Sequence, residues 1–175
     1  IKNMKAAGLN TVVIALKEYD GRMFVRSVPL AQAIGAFVNA IPDLPGCVKD
    51  FKDSGIYTIG RVVLFKDDTL ARKRPDLAVH RPDGRLWVNE HNIAWVDPYQ
   101  REVWDYNLEI ASRAAAHFDE IQFDYIRFPS DGGACRADSR FHFPFAAQKL
   151  SLMHIVRPRH QGPGHKTGHM ESQRG

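Results

Sequence analysis

Apolar positions along this chain change rhythm from segment to segment, and the changes predict alternating strands and helices. Residues 1 to 8 read as the end of a helix, with Met4, Ala6 and Ala7 ahead of a Gly8 stop. A Val- and Ile-rich strand follows at 10 to 17. The connection from 18 to 42 carries the turn signal Asp20-Gly21 and an apolar stretch at 33 to 41. Residues 43 to 54 read as a helix capped by Asp43 and stopped at Gly55, and 56 to 65 as a second strand. The segment from 66 to 98 is polar and punctuated by Pro75, Pro82-Asp83-Gly84 and Pro98; connections this long in an α/β domain are usually functional. Between 99 and 117, Val103, Tyr106, Ile110 and Ala114 recur at spacings of three and four, the apolar face of a helix. Apolar residues at 121, 123, 125, 126 and 128 predict a third strand at 120 to 128, buried on both faces.

The order strand, helix, strand, helix, strand predicts parallel βαβ units. With 175 residues the chain is too short to close a (β/α)8 barrel, which takes about 200 residues or more. The net charge of +4 is unevenly spread. Residues 1 to 133 hold 17 Lys+Arg against 18 Asp+Glu, whereas 134 to 175 hold 7 against 2. The α/β part is thus near neutral and the basic excess belongs to the tail. A nucleic-acid surface needs basic residues on the fold, interleaved with aromatics, so nucleic acid is not an expected partner. No apolar run reaches the ~20 residues of a membrane span, and no secretory signal opens the chain. Cys47 and Cys135 show no metal-ligand spacing, and neither a GxGxxG after a strand nor a P-loop is present. No cofactor or metal is expected.

Open α/β sheets and barrels place their chemistry at the C-terminal ends of strands. Alternation puts Gln122 and Asp124 on one face of the third strand, with Asp124 at its far end. Arg61 stands alone among Ile59, Val62, Val63 and Leu64 and must find a carboxylate such as Asp124. Arg127, beyond the last paired residue, could also hold Asp124 in place. Asp124 is then either a reactive carboxylate or one that only secures the strand end. Lys17 and Glu18 end the first strand; Asp67 shares parity with Arg61 and faces either the mouth or a solvated loop.

The run Asp119 to Pro129, DEIQFDYIRFP, resembles the signature of a glycoside hydrolase family with a TIM-barrel catalytic domain. Three further stretches match that family in the same order: Gly8-Leu9-Asn10-Thr11-Val12-Val13-Ile14 with Lys17 after it, Gly55 to Asp67 (GIYTIGRVVLFKD), and Ala94-Trp95-Val96-Asp97-Pro98-Tyr99. The resemblance covers residues 1 to 133. It implies a partial (β/α)8 barrel in which the visible strands are the second, third and fourth. It also implies hydrolysis of O-glycosidic bonds in a polysaccharide, a carbohydrate partner, and an extracytoplasmic or cell-envelope setting suited to that substrate. By this resemblance Asp124 is the nucleophile or electrostatic stabiliser, with Arg61, Arg127, Lys17, Asp67, Gln122, Trp95 and Asp97 shaping the site. Trp95 would offer a ring to a sugar's apolar face if exposed, or pack under its loop if not. The family commonly has an Asp two residues before Lys17, where this chain has Ala15.

Cleavage of a glycosidic bond ordinarily uses two carboxyl groups. The proton donor would come from a later strand, and neither Asp138 nor Glu171 has a strand context. Residues 134 to 175 hold five of the eight His, lose the α/β rhythm and read as a basic, disordered tail, a frameshifted or misjoined frame. The expectation is therefore a truncated, catalytically incomplete hydrolase, with a carbohydrate-binding fragment or a gene remnant as the alternatives.

Overall fold

The computed structural model describes residues 1–129; the tail expected from 134 onward lies outside them. The described residues fold as α1 (Lys2–Ala6), β1 (Thr11–Lys17), α2 (Pro29–Ala33), α3 (Leu44–Asp53), β2 (Tyr57–Val63), α4 (Asp68–Lys73), a 3-10 turn (Pro75–Leu77), α5 (Arg101–Ala115) and β3 (Glu120–Asp124). Both strand pairings are parallel and the order is β1-β2-β3. The three strands, α3 and α5 lie where the periodicity placed them. β3 is shorter than predicted and ends at Asp124 rather than 128. The polar segment after β2, whose composition predicts a loop, holds α4.

Local chemistry explains the boundaries. Asp43 caps α3 by accepting from the Gly46 N–H at 3.0 Å, and Pro45 occupies the first turn, where its missing N–H costs nothing. Gly55 then ends the turn with φ 74°, a left-handed conformation suited to glycine. Asp67 caps α4 through the Leu70 N–H at 2.8 Å.

Register places Ala15 beside Arg61 and Arg61 beside Gln122. One face of the sheet thus carries the row Ala15, Arg61, Gln122, with Asp124 one pleat further on. On the other face Thr58 and Val62 are fully buried, and Gly60 leaves room for Leu16 and Ile121, whose side chains a Cβ would meet at 2.7 and 3.1 Å. The core on that side joins Leu16, Val62 and Ile121 to Val48 of α3 and to Val103, Ile110 and Ala114 of α5.

Candidate functional site at the strand ends

β1 does not keep its alternation to the end. Its register shifts between Ala15 and Lys17, so that Lys17 pairs with Val62 instead of continuing in line with Arg61. Such a bulge re-aims the side chains that follow it. Lys17 goes to the helix side, fully buried. There it forms an ion pair with Asp67 at 2.7 Å, donates to Asn107 Oδ1 at 2.8 Å and to the Leu64 carbonyl at 3.2 Å, and sits over the Tyr106 ring. Burial pushes the Lys17 pKa down, and the charge and hydrogen bond of Asp67 oppose that shift. Burial also pushes the Tyr106 hydroxyl up, with Asp67 adding to it.

The bulge turns Glu18 toward the other side. Arg61 lies between two carboxylates: its Nη2 is 2.7 Å and its Nε 2.8 Å from Asp124 Oδ2, and its Nη1 is 3.5 Å from Glu18 Oε2. The side chains of Arg61, Glu18 and Asp124 are 26%, 29% and 39% exposed, so the cluster is open to solvent but constrained. Burial disfavours the charge on Arg61, yet the Asp124 bond, its charge and that of Glu18 outweigh it and raise the guanidinium above its ordinary value. The second oxygen of Asp124 accepts from the Tyr125 N–H at 2.7 Å. Tyr125 has φ 53°, unusual for a bulky residue and the kind of strain that collects at functional sites.

Several expectations are corrected. Lys17 and Asp67 do not reach the open face: the bulge sends Lys17 into the core, and Asp67 is buried as its partner and as the α4 cap, not in the mouth or a solvated loop. Of the two alternatives for Trp95, packing under its loop is the one observed. Trp95 is 0% exposed, with its ring 5.9 Å from that of Tyr125 in an edge contact. Asp97 is buried as well and accepts from the Tyr99 N–H at 2.9 Å, turning the chain toward α5. Arg127 lies over the rings of Trp95 and Tyr125 at 5.2 and 5.1 Å, and it is Arg61 that holds Asp124. Gln122 remains beside Arg61 on the open face, exposed. The sequence reading missed Glu18 as a site residue. Counting every second residue back from Lys17 gives the wrong face, and only the register shift shows it.

Lys66 Nζ stands 5.4 Å from the centre of the Tyr19 ring, 5.8 Å from Trp95 and 5.2 Å from Tyr125. These contacts tie the turn after β1, the end of β2, the Trp95 loop and the end of β3 into one surface. No group of three or more His, Cys, Asp or Glu able to hold a metal occurs among the described residues. No helix among them is long and apolar enough to cross a membrane.

The sequence pattern of a family described as "Putative glycosyl hydrolase domain" matches residues 1–152. Among solved structures, a hypothetical protein from Ruminiclostridium thermocellum ATCC 27405 is 38% identical, with a TM-score of 0.72 over 81% of this chain and 72% of its own. The alpha-L-fucosidase isoenzyme 2 of Paenibacillus thiaminolyticus (14% identity, TM-score 0.58) covers 74% of this chain, which spans 20% of that enzyme. A GH31 alpha-xylosidase from a soil metagenome (13%, 0.52) covers 81%, and this chain spans 21% of it. At such identities these two enzymes speak for fold alone, and they place the three parallel strands and their helices in a (β/α)8 barrel. No curated protein matches the chain. The four ordered motifs, the parallel sheet and the match over residues 1–152 lead to one conclusion: the chain belongs to this glycosyl hydrolase domain family.

Proposed function

We propose that the open face at the C-terminal ends of β1 to β3 is a glycosidase site, with Asp124 as the carboxylate that meets the developing positive charge on the anomeric carbon. The observation that carries this reading is the Arg61–Asp124 pair at 2.7 Å, on a half-exposed carboxylate at a parallel strand's C-terminal end. Arg61 orients the carboxylate and compensates its charge in the resting site. Lone-pair directions of Asp124 beyond those used by Arg61 and the Tyr125 N–H stay available to substrate. Glu18, on the same guanidinium, is a second carboxyl group within the site, so the chain brings two acids to one end of the sheet. Gln122 and Arg61 would meet sugar hydroxyls on the open face. The substrate class is a polysaccharide.

The test is release of reducing ends from xylan, soluble starch, polygalacturonate and a β-1,3-glucan, compared between the native protein and Asp124→Asn. The expected result is hydrolysis of at least one of them and a loss on the order of 10³-fold or more in the variant, the scale for removing a reacting group. Hydrolysis by Asp124→Asn within about tenfold of the native rate would exclude the role given to this carboxylate. A second reading, carbohydrate binding without turnover, is favoured by one observation: Glu18 is itself engaged by Arg61. Glycan binding without any release of reducing ends would select it.

A further inference from the structure

Trp95 is buried, so a sugar ring at this strand end needs another aromatic. Two aromatic residues are strongly exposed among the described residues, Tyr19 at 46% and Tyr57 at 45%. Tyr57 opens β2 and therefore lies at the opposite, N-terminal end of the sheet, where its hydroxyl donates to Glu120 Oε2 at 3.3 Å. Tyr19 lies at the correct end. It follows Glu18 directly, and Glu18 touches the guanidinium that holds Asp124.

Tyr19 is also fixed in place despite its exposure. The Glu18 carbonyl accepts from the Gly21 N–H at 3.0 Å, closing a turn with Tyr19 inside it. The Asp20 carbonyl accepts from both the N–H and the hydroxyl of Thr69, at 3.1 and 2.7 Å, which anchors the turn to α4. Lys66 Nζ sits 5.4 Å from the ring centre and 5.2 Å from that of Tyr125, the neighbour of Asp124. A ring held this way loses little freedom when a ligand stacks on it, and preorganisation of this kind favours binding.

We propose that Glu18 and Tyr19 form a pyranose-binding subsite beside Asp124, in which the Tyr19 ring stacks on the apolar face of a sugar and the Glu18 carboxylate accepts from its hydroxyls. Pyranoses have one C–H-rich face and a rim of hydroxyls, so an aromatic surface next to a carboxylate matches both. The inference rests on reading this strand end as a carbohydrate site, but it does not require turnover. Its ligand class is a neutral or uronic pyranose within a glycan chain.

The experiment is affinity electrophoresis of the full chain in gels containing xylan, soluble starch, polygalacturonate or a β-1,3-glucan, with reducing-end release recorded on the same glycans. The native protein is expected to be retarded by at least one glycan. Tyr19→Ala should weaken that retardation about tenfold or more, while Tyr19→Phe stays within about threefold of native, since the ring and not the hydroxyl makes the stack. Leu108→Ala, on the exposed side of α5, serves as the unchanged control. Circular dichroism verifies that each variant is folded. Retardation of Tyr19→Ala equal to native, or no retardation of the native protein by any of the four glycans, overturns the subsite. Glycan binding that depends on Tyr19 without hydrolysis overturns the hydrolase reading and leaves the subsite standing. Hydrolysis unaffected by Tyr19→Ala does the reverse.

Discussion

At Gly21 the backbone has φ 88°, and a Cβ there would stand 2.2 Å from Asp67 Oδ1 and 2.7 Å from Thr69 Cβ. Two penalties therefore coincide. An L-residue in the left-handed region costs about 1–2 kcal/mol, and forcing an atom into a filled site typically costs about 1–3 kcal/mol more. The atom it displaces also matters, because Asp67 is the buried partner of Lys17 and the cap of α4. Gly21→Ala should accordingly lower stability by about 2–4 kcal/mol, read from the urea midpoint at constant slope; a change below about 1 kcal/mol would show that the turn relaxes freely. Asp20-Gly21 was legible in the sequence as a turn. Its approach to Asp67 was not, since 46 positions separate residues 21 and 67 and no local pattern joins them. The left-handed Tyr125 was hidden for a different reason: no glycine marks its φ of 53°, and its contacts with Asp124, Trp95 and Lys66 join different segments of the chain.

At the scale of elements, the end of β1 decides which residues form the site. The register shift after Ala15 sends Lys17 to the α4 and α5 side, where it joins Asp67, Asn107 and the Leu64 carbonyl. Removing one member of a buried ion pair leaves the other charge uncompensated and costs about 3–5 kcal/mol, whereas removing both costs much less. Lys17→Met should thus destabilise the protein by about that amount. The double variant Lys17→Met/Asp67→Asn should recover part of the loss, because Asn keeps an acceptor for the Leu70 N–H that caps α4. Urea unfolding of the two variants measures the difference; a single variant as stable as the double would rule out a buried charge left unpaired. This element also shows what the sequence could and could not supply. The strands, α3 and α5 followed from periodicity and from Asp43 and Gly55 as cap and stop. Arg61 announced its carboxylate partner by being a lone cation in an apolar run. A bulge leaves no such trace, because β1 is apolar on both faces from Val12 to Leu16, and moving the alternation by one residue exchanges Lys17 for Glu18 without altering the apolar pattern. Trp95 and Asp97 were placed on the right loop, but the exposure of Trp95 stayed open between two alternatives: whether a loop aromatic packs or projects depends on Tyr125 and Lys66, which are distant in sequence.

Across the whole molecule, the two ends of the sheet use carboxylates for different purposes. At the C-terminal end Asp124 and Glu18 share Arg61 and remain partly open. At the N-terminal end Asp119 joins α3, β2 and the start of β3. It accepts from the Thr58 N–H at 2.9 Å and the Thr58 hydroxyl at 2.8 Å, and pairs with Lys52 of α3 at 3.0 Å. Burial pushes the Asp119 carboxyl up, but the Thr58 bonds and Lys52 together outweigh it and hold the group below its ordinary value. A carboxyl depressed in the folded state adds stability that is complete above its unfolded pKa, about 3.9, and is lost as pH falls through the lower folded value. The acid limb of the stability profile below about pH 4 should therefore depend on Asp119. Asp119→Asn keeps an acceptor but loses the charge, and should cost about 1–2 kcal/mol at pH 7 and flatten that limb. Asp124→Asn, at a partly exposed pair, should change stability by less than about 1 kcal/mol while removing hydrolysis. Thermal or urea unfolding of both variants from pH 7 down to about pH 2, beside reducing-end assays at neutral pH, separates the two roles. If Asp119→Asn follows the native pH profile in parallel, the N-terminal end does not anchor the sheet through this charge. If it abolishes hydrolysis at unchanged stability, the division of labour between the two ends fails.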